Sequence, residues 1–344
     1  MPSLDEQSTV GTMSVIHTDE LTKYYGDVRG IEDLSFDVEA GEVFGFLGPN
    51  GAGKTTAIRT LMGFQSPTAG SATVLGSDIT DGNALRTVRA NVGYLPSEPG
   101  FNEAVTGRRL LEYHGSLRGD VRSDELLELF DPPLDRTVGA YSRGNKQMLA
   151  IIMAFMHDPD LLILDEPTSG LDPLKQEEFL EFIRAEQERG KTFFFSSHIL
   201  SEVRKVCDRI GIIRAGKLVA LEEVASLIDR SGKTVRANIA GSATVSEFDI
   251  DGAHDVTLSG GSAAADDATE TNGGDDATSI TFTYTGAYEP LLRHLLEYEL
   301  LDLAIEEAPL EDVFMRFYGD HDPETAVEHV ENGRGDRASE TTDV

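Results

Sequence analysis

The chain has 344 residues, of which 40% are hydrophobic, and this is enough for two domains and a sizeable core. No run of eighteen apolar residues exists, which excludes a spanning helix. The single cysteine, Cys207, excludes an internal disulfide, fits a reducing cytoplasm and is expected to be a small buried apolar residue. The net charge of −32 argues against a nucleic-acid partner, because an acidic surface repels phosphates.

The acidic residues are spread along the whole chain rather than collected in one tail. We therefore hypothesise a halophile-like protein whose self-repulsion is screened by salt. The free energy of unfolding should rise between low and molar salt, because the Debye length falls from about 30 Å at 0.01 M to about 3 Å at 1 M. Denaturant unfolding at the two salt concentrations measures this, and equal stability would refute the hypothesis.

Residues 1–13 are polar and acidic without an apolar core, so we expect a disordered leader rather than a signal peptide. From residue 14 to residue 221, short β-rich runs alternate with helical patterns, which is typical of an α/β domain around a central sheet. A mainly helical stretch at about 105–157 predicts an inserted helical subdomain. The predicted strands span residues 42–47, 91–95, 161–164, 192–196 and 210–214. The predicted helices span residues 54–64, 107–117, 144–157, 174–189 and 199–207.

After residue 221 the pattern changes, and we predict a small α+β accessory domain over residues 222–318. A helix at 222–229 leads into alternating segments at 234–239 and 279–284, and helical spacing returns at 288–298 and 309–318. Between the alternating segments, residues 251–279 are rich in Asp, Gly, Ala and Thr, which predicts a low-complexity loop or disordered insert. The acidic residues 319–344 predict a disordered tail.

A glycine-rich turn between a predicted strand and a predicted helix matches the phosphate-loop pattern G-x-x-x-x-G-K-[ST]. Its residues, all candidates for nucleotide binding, are Gly48, Pro49, Asn50, Gly51, Ala52, Gly53, Lys54, Thr55 and Thr56. Successive backbone N–H groups would face phosphate oxygens. Lys54 would reach the β- and γ-phosphates, and Thr55 would offer its hydroxyl to Mg²⁺. The phosphate loop predicts a P-loop NTPase core. The guanine-reading pattern Asn-Lys-x-Asp is absent, which favours ATP.

Two carboxylates, Asp165 and Glu166, follow the apolar run 161–164. In open α/β sheets the ligand lies beyond the carboxyl ends of the strands, so Asp165 is placed to hold Mg²⁺ and Glu166 to act as general base on the attacking water. Another predicted strand ends just before His198. A histidine there is more often a surface or core residue, but in this core it is a candidate for contact with the γ-phosphate.

The order of these motifs resembles the nucleotide-binding subunit of ABC transporters, over about residues 16–221. Residues 141–147 resemble the family signature. Tyr25 is similar to the family's aromatic stacking residue, with Tyr24 as a less favoured alternative. The loop that joins the two halves of the family's dimer is similar to residues 169–172, which end at Asp172. The exporter-like group that pairs with a separate permease is similar at residues 93–96, 106–108 and 310–314.

The resemblance implies an ATPase in which two copies, or two paired ATPase subunits, enclose two ATP molecules. Ser142 and Gly144 would then contact the γ-phosphate of ATP held by the opposite subunit, and Asp172 would also belong to the nucleotide site. The cofactors would be ATP and Mg²⁺. The partner would be a transmembrane permease, most often an exporter, and the location the cytoplasmic face of the membrane as a peripheral subunit.

The sequence departs from the family at two places. Arg143 and Asn145 stand where the signature has Gly and Gln, and Ser97 stands where the family has a metal-contacting Gln. Ser97 is too short for that contact, and either Glu98 or a water could replace it. Two other functions stay open: a soluble ABC ATPase that acts on ribosomes or DNA, and an ATP-binding regulatory module with weak turnover.

Overall fold

The computed structural model describes residues 14–260 and 277–307. Its first sheet is antiparallel in the order β2-β1-β4-β5, with bulges where β1 pairs with β2. No strand was predicted in this region. The strands are β1 (Ser14–Tyr25), β2 (Val28–Glu39), β4 (Ala69–Val74) and β5 (Ser77–Asp78).

The second sheet has six strands in the order β10-β9-β3-β8-β7-β6, which are parallel except for the β9–β10 pair. All five predicted strands are confirmed here, each within one residue at either end. The strands are β3 (Val43–Leu47), β6 (Val92–Leu95), β7 (Leu161–Asp165), β8 (Thr192–Ser197), β9 (Arg209–Arg214) and β10 (Lys217–Glu223).

The helices of this region connect the strands. The five predicted helices are confirmed, with ends that differ by up to three residues, and α2 and α4 are additional. The helices are α1 (Lys54–Leu61), α2 (Gly82–Ala90), α3 (Gly107–Arg118), α4 (Ser123–Phe130), α5 (Arg143–Phe155), α6 (Pro173–Glu188) and α7 (Leu200–Val206). The segment between β6 and β7 contains α3, α4 and α5.

Side chains on the two faces of the parallel sheet belong to separate cores. On β8, Phe193 and Phe195 enter the core that α5, α6 and α7 cover, whereas Phe194 enters the core shared with α1 and the antiparallel sheet. Alternation along a strand produces this division, and burial of each Phe contributes about 1.5–3 kcal/mol. Cys207 lies in the first core, as expected, and burial raises the pKa of its thiol well above the ordinary value.

The residues after β10 form a helix and a third sheet. Helix α8 (Val224–Ser231) starts two residues later than predicted, because Glu222 and Glu223 pair with β9; Val224 and Leu227 enter the first core. The sheet is antiparallel in the order β12-β13-β11-β14, and α9 (Tyr288–Leu295) covers it through Leu291 and Leu295. Its strands are β11 (Lys233–Ala240), β12 (Ala253–Ser259), β13 (Ala277–Tyr284) and β14 (Leu300–Glu307).

Strand β12 corrects the prediction of a loop over residues 251–279. Ala253, Val256 and Leu258 pack against the third core, and the backbone pairs with β13, so a few apolar side chains suffice for an edge strand. The predicted leader, the predicted helix at 309–318 and the predicted tail lie outside the described residues. Among the helices of the described ranges, none is both long and apolar enough to cross a membrane.

Candidate functional site

The phosphate loop forms the turn from β3 into α1. Gly53 precedes α1 with φ +111°, and a Cβ there would lie 2.6 Å from the Gly30 carbonyl oxygen, so this position requires glycine. Lys54 is buried, and its Nζ donates to the Gly48 carbonyl oxygen at 2.6 Å. The ammonium is therefore held against the loop that would receive the phosphates.

Asp165 ends β7 and faces the start of α1. Its Oδ2 accepts a hydrogen bond from Thr55 Oγ1 at 2.9 Å, and its Oδ1 accepts one from Ser196 Oγ at 3.1 Å. Burial raises the pKa of this carboxyl, and the two hydroxyl donors oppose that effect. The Thr55–Asp165 pair supplies only oxygen ligands, as Mg²⁺ prefers. Within 14–260 and 277–307 no group of three or more His, Cys, Asp or Glu could hold a metal, so a Mg²⁺ here would need phosphate and water ligands as well.

Glu166 lies between the lysine of the loop and the histidine after β8. Its Oε2 is 2.6 Å from His198 Nδ1, and its Oε1 forms an ion pair at 3.1 Å with Lys54 Nζ that lacks hydrogen-bond geometry. The backbone of Glu166 has φ +51°, an unfavourable conformation for a non-glycine residue, and its N–H donates to the Ser196 carbonyl oxygen at 3.0 Å. The fold thus fixes the predicted base beside both neighbours.

A cleft of about 390 Å³ opens over the phosphate loop. Tyr25 lines it, whereas the Tyr24 hydroxyl donates to Glu32 instead, so the structure favours Tyr25 as the stacking residue. Ser97 lines the cleft, and the exposed Glu98 does not. The lining residues are Tyr25, Val28, Arg29, Gly30, Pro49, Asn50, Gly51, Gly53, Lys54, Thr55, Thr56, Ser97 and Glu166. Gly48 and Ala52 lie behind this surface.

Comparisons with known proteins agree with this geometry. A family model described as "ABC transporter" matches residues 31–169. Bacitracin transport ATP-binding protein BcrA of Bacillus licheniformis is 40% identical over 217 residues, which cover 61% of this chain and 70% of the relative. The chain belongs to the ATP-binding subunits of ABC transporters. It therefore binds ATP and hydrolyses it, as the ATPases of this family do.

One further relative and one solved structure support membership of the ABC family, and a second solved structure agrees in fold. Nod factor export ATP-binding protein I of Neorhizobium galegae is 34% identical over 324 residues, which cover 92% of this chain and 88% of the relative. A solved structure of an ATP-binding subunit of an ABC transporter has a TM-score of 0.58 at 29% identity and covers 63% of this chain and 93% of that chain. A dimeric cassette with ADP and Pi bound has a TM-score of 0.57 at 20% identity, and covers 61% and 98%.

The predicted signature residues of this ABC subunit lie outside its own cleft. Ser142 caps α5 by accepting from the Asn145 N–H at 3.1 Å, and Asp172 caps α6 in the same way. A Cβ at Gly144 would lie 2.8 Å from the Gly170 carbonyl oxygen, so the start of α5 packs tightly on the loop before α6. Ser142, Gly144 and Asp172 therefore lie on a surface separate from the cleft over the phosphate loop. A nucleotide site completed by a second subunit would need such a surface.

Sequence reasoning missed Arg29 as a residue of the ABC subunit's cleft. Arg29 Nη1 donates to Glu32 Oε2 at 2.8 Å, and Lys217 and Tyr24 bind the same carboxylate. Hydrogen bonds from Lys217 first, and then from Tyr24 and Arg29, lower the pKa of Glu32 to about 2. This cluster places a cation at the cleft of a very acidic protein. The only sequence signal was the position of Arg29 four residues after Tyr25.

Proposed function

We propose that this chain is the ATP-hydrolysing subunit that drives a separate membrane permease in export. The observation that carries the proposal is the cleft, which joins Lys54, Thr55 and Glu166 while leaving Ser142 and Gly144 on another surface. A relative named for Nod factor export supports the direction of transport, and one named for bacitracin transport supports transport itself. The chain would be a peripheral subunit at the cytoplasmic face of the membrane.

Hydrolysis would begin with an exchange of partners at Lys54. The γ-phosphate would draw the ammonium away from Glu166, whose carboxylate could then accept a proton from the attacking water. The water oxygen bonds to the γ-phosphorus, the bond to the ADP oxygen breaks, and the proton passes from Glu166 to the products. His198 would keep the carboxylate oriented through the 2.6 Å contact and could extend to the γ-phosphate.

Asp165 and Thr55 would hold Mg²⁺, which neutralises phosphate charge when it is bound. Ser97 stands where the family has a Gln, so the site lacks the side-chain amide that would contact the metal. Because Ser97 lines the cleft and Glu98 does not, a water held by the Ser97 hydroxyl is the better candidate for the missing contact. The oxygen donors on the chain itself then remain Thr55 and Asp165.

The nucleotide site would be completed in a dimer. A second copy, or a paired ATPase subunit, would bring its Ser142 and Gly144 to the γ-phosphate and its Asp172 to the edge of the site. The start of α5 suits this role, because the N-terminus of a helix attracts anions. ATP would thereby hold two subunits together until hydrolysis releases them.

A second cleft of about 290 Å³ suits a permease segment. It lies where the loop after β6 meets α3 and α5, and Tyr94, Phe101 and Tyr113 give it an aromatic surface. Tyr113 is largely exposed. Aromatic side chains that protrude into a groove are typical anchors for a partner, so this cleft would carry the closure of the ATPase dimer to the membrane.

Tyr113→Glu should abolish co-purification with a multispanning membrane protein and leave ATP binding intact, because a charge would be placed in an apolar interface. Leu296→Glu is the matched control, since Leu296 is exposed on the accessory region, away from this cleft. Detergent extracts analysed by affinity capture would show the difference. Capture of ribosomes instead of a membrane protein would favour the soluble alternative, and absence of steady-state turnover would favour the regulatory one.

A further inference from the structure

Glu202, on α7, is a buried acidic residue to which the preceding mechanism gives no role. Only 5% of its surface is exposed. Its Oε1 accepts a hydrogen bond from Thr168 Oγ1 at 2.5 Å, and its Oε2 accepts one from Ser197 Oγ at 2.8 Å. The two donors are themselves fully buried. Each oxygen of one carboxylate therefore binds a different part of the chain.

The two donors flank the residues assigned to hydrolysis. Thr168 lies two positions after Glu166, and Ser197 lies directly before His198. The loop that carries Thr168 is also joined to the end of β8 by the hydrogen bond from the Glu166 N–H to the Ser196 carbonyl oxygen. The 2.6 Å contact between Glu166 and His198 thus joins the loop after β7 to the residue after β8, and Glu202 binds the chain beside both residues.

Hydrogen bonds also join these segments to α5, the helix that begins within the predicted signature, residues 141–147. Gln147, buried on α5, donates from Nε2 to the Pro167 carbonyl oxygen at 2.7 Å. On the other side, the Ser197 hydroxyl accepts from the Ile199 N–H at 3.0 Å. Hydrogen bonds of a hydroxyl to a carboxylate are stronger than those between neutral groups, and in a dry interior they restrict their partners closely.

We propose that Glu202 is a positioning residue for ATP hydrolysis, whose carboxylate ties the loop that follows Glu166 to the end of β8, directly before His198. This inference rests on the proposed role of Glu166. A displacement of about 1 Å in a reacting group can cost roughly 100-fold in rate. Glu202 therefore acts on turnover through the geometry of Glu166, while the phosphate loop that binds ATP lies elsewhere.

Glu202→Leu should lower kcat by about 10- to 100-fold, with little change in KM for ATP. Glu202→Gln should recover most of the rate, because its amide can accept from one hydroxyl and donate to the other. In a Glu166→Gln background, Glu202→Leu should cause no further loss of turnover. If Glu202 acts only by positioning the Glu166 carboxylate, its substitution has no effect once that carboxylate is absent. Phosphate release measures kcat and KM for each variant, and isothermal titration measures ATP binding.

Glu186→Gln is the control for lost stability, because Glu186 is a buried acid that pairs with Arg122 outside the site. If Glu186→Gln lowers the melting temperature as much as Glu202→Leu does, its kcat should still equal that of the wild type. If Glu202→Leu does not fold, Thr168→Val and Ser197→Ala each remove one of the two bonds, and each should lower kcat. The proposal is overturned if these folded variants keep the wild-type kcat, or if the loss persists undiminished in the Glu166→Gln background. Wild-type turnover by Glu166→Gln alone would instead refute the role of Glu166.

Discussion

Glu166→Gln should lower ATP turnover by roughly 10²- to 10⁴-fold, the usual contribution of a general base. Glutamine has the shape of glutamate but cannot accept the proton of the attacking water. ATP binding should be retained, because Lys54 and the phosphate loop are unchanged and the substitution removes the negative partner of Lys54. The variant should also accumulate as a dimer with ATP, since the step that releases the subunits is blocked. Phosphate release and size-exclusion chromatography with ATP measure both effects.

Glu98→Gln is the matched control for this experiment. Glu98 is an exposed carboxylate one residue after Ser97, outside the cleft, so the same change of charge should leave turnover unaltered. Wild-type turnover by Glu166→Gln would show that another group accepts the proton. A loss confined to Glu98→Gln would show that Glu98 reaches the nucleotide and replaces the amide missing at position 97.

The central sheet could be predicted because its strands are short, apolar and bounded by polar turns. Residues 161–164 and 192–196 show this pattern, and helices cover both faces. The antiparallel sheet could not be read in the same way. Glu20 and Asp33 have positive φ values and interrupt the alternation of β1 and β2, and Thr18 is buried because its hydroxyl bonds to the Phe36 backbone. A polar side chain in the core breaks a pattern based on hydrophobicity.

The third sheet shows the limit of composition. Strand β12 lies in a stretch with few apolar residues, and the prediction of a loop over residues 251–279 was wrong for 253–259 and, where β13 begins, for 277–279. A strand at the edge of a sheet gains its order from pairing, here with β13, as well as from Val256 and Leu258. Such pairing joins distant segments and leaves little trace in the local sequence.

The site was predictable where a motif is local and unpredictable where distant loops meet. Lys54, Asp165 and Glu166 follow from short motifs, and the structure brings them together. Sequence alone could not decide between Ser97 and Glu98, because this depends on which side chain the chain turns toward the cleft. The contacts of Glu202 could not be predicted from the sequence either, since they join α7 to the loop after β7 and to the last residue of β8.

A mixture of two inactive variants tests the shared site. Lys54→Ala would remove the ammonium proposed to bind the phosphates, and Ser142→Arg would fill the surface proposed to meet the opposite nucleotide. Each variant alone should reduce turnover to background. In a mixed dimer one site carries both defects and the other carries none. A 1:1 mixture should therefore regain about a quarter of wild-type turnover, because half of the dimers are mixed and each has one intact site of two. Phosphate release across mixing ratios measures the recovery.

The control mixture is Lys54→Ala with Glu166→Gln. Both residues belong to the cleft of the same chain, so the mixed dimer has one defect in each site and should regain nothing. Recovery in the first mixture and none in the second means that Ser142 serves the nucleotide of the other subunit. Equal recovery in both mixtures would mean that Ser142 and Glu166 both serve the site whose Lys54 lies on the other chain. No recovery in either mixture would contradict a site divided between two chains. Ser142→Asn, which keeps a good cap for α5, separates blockage of the site from damage to the helix.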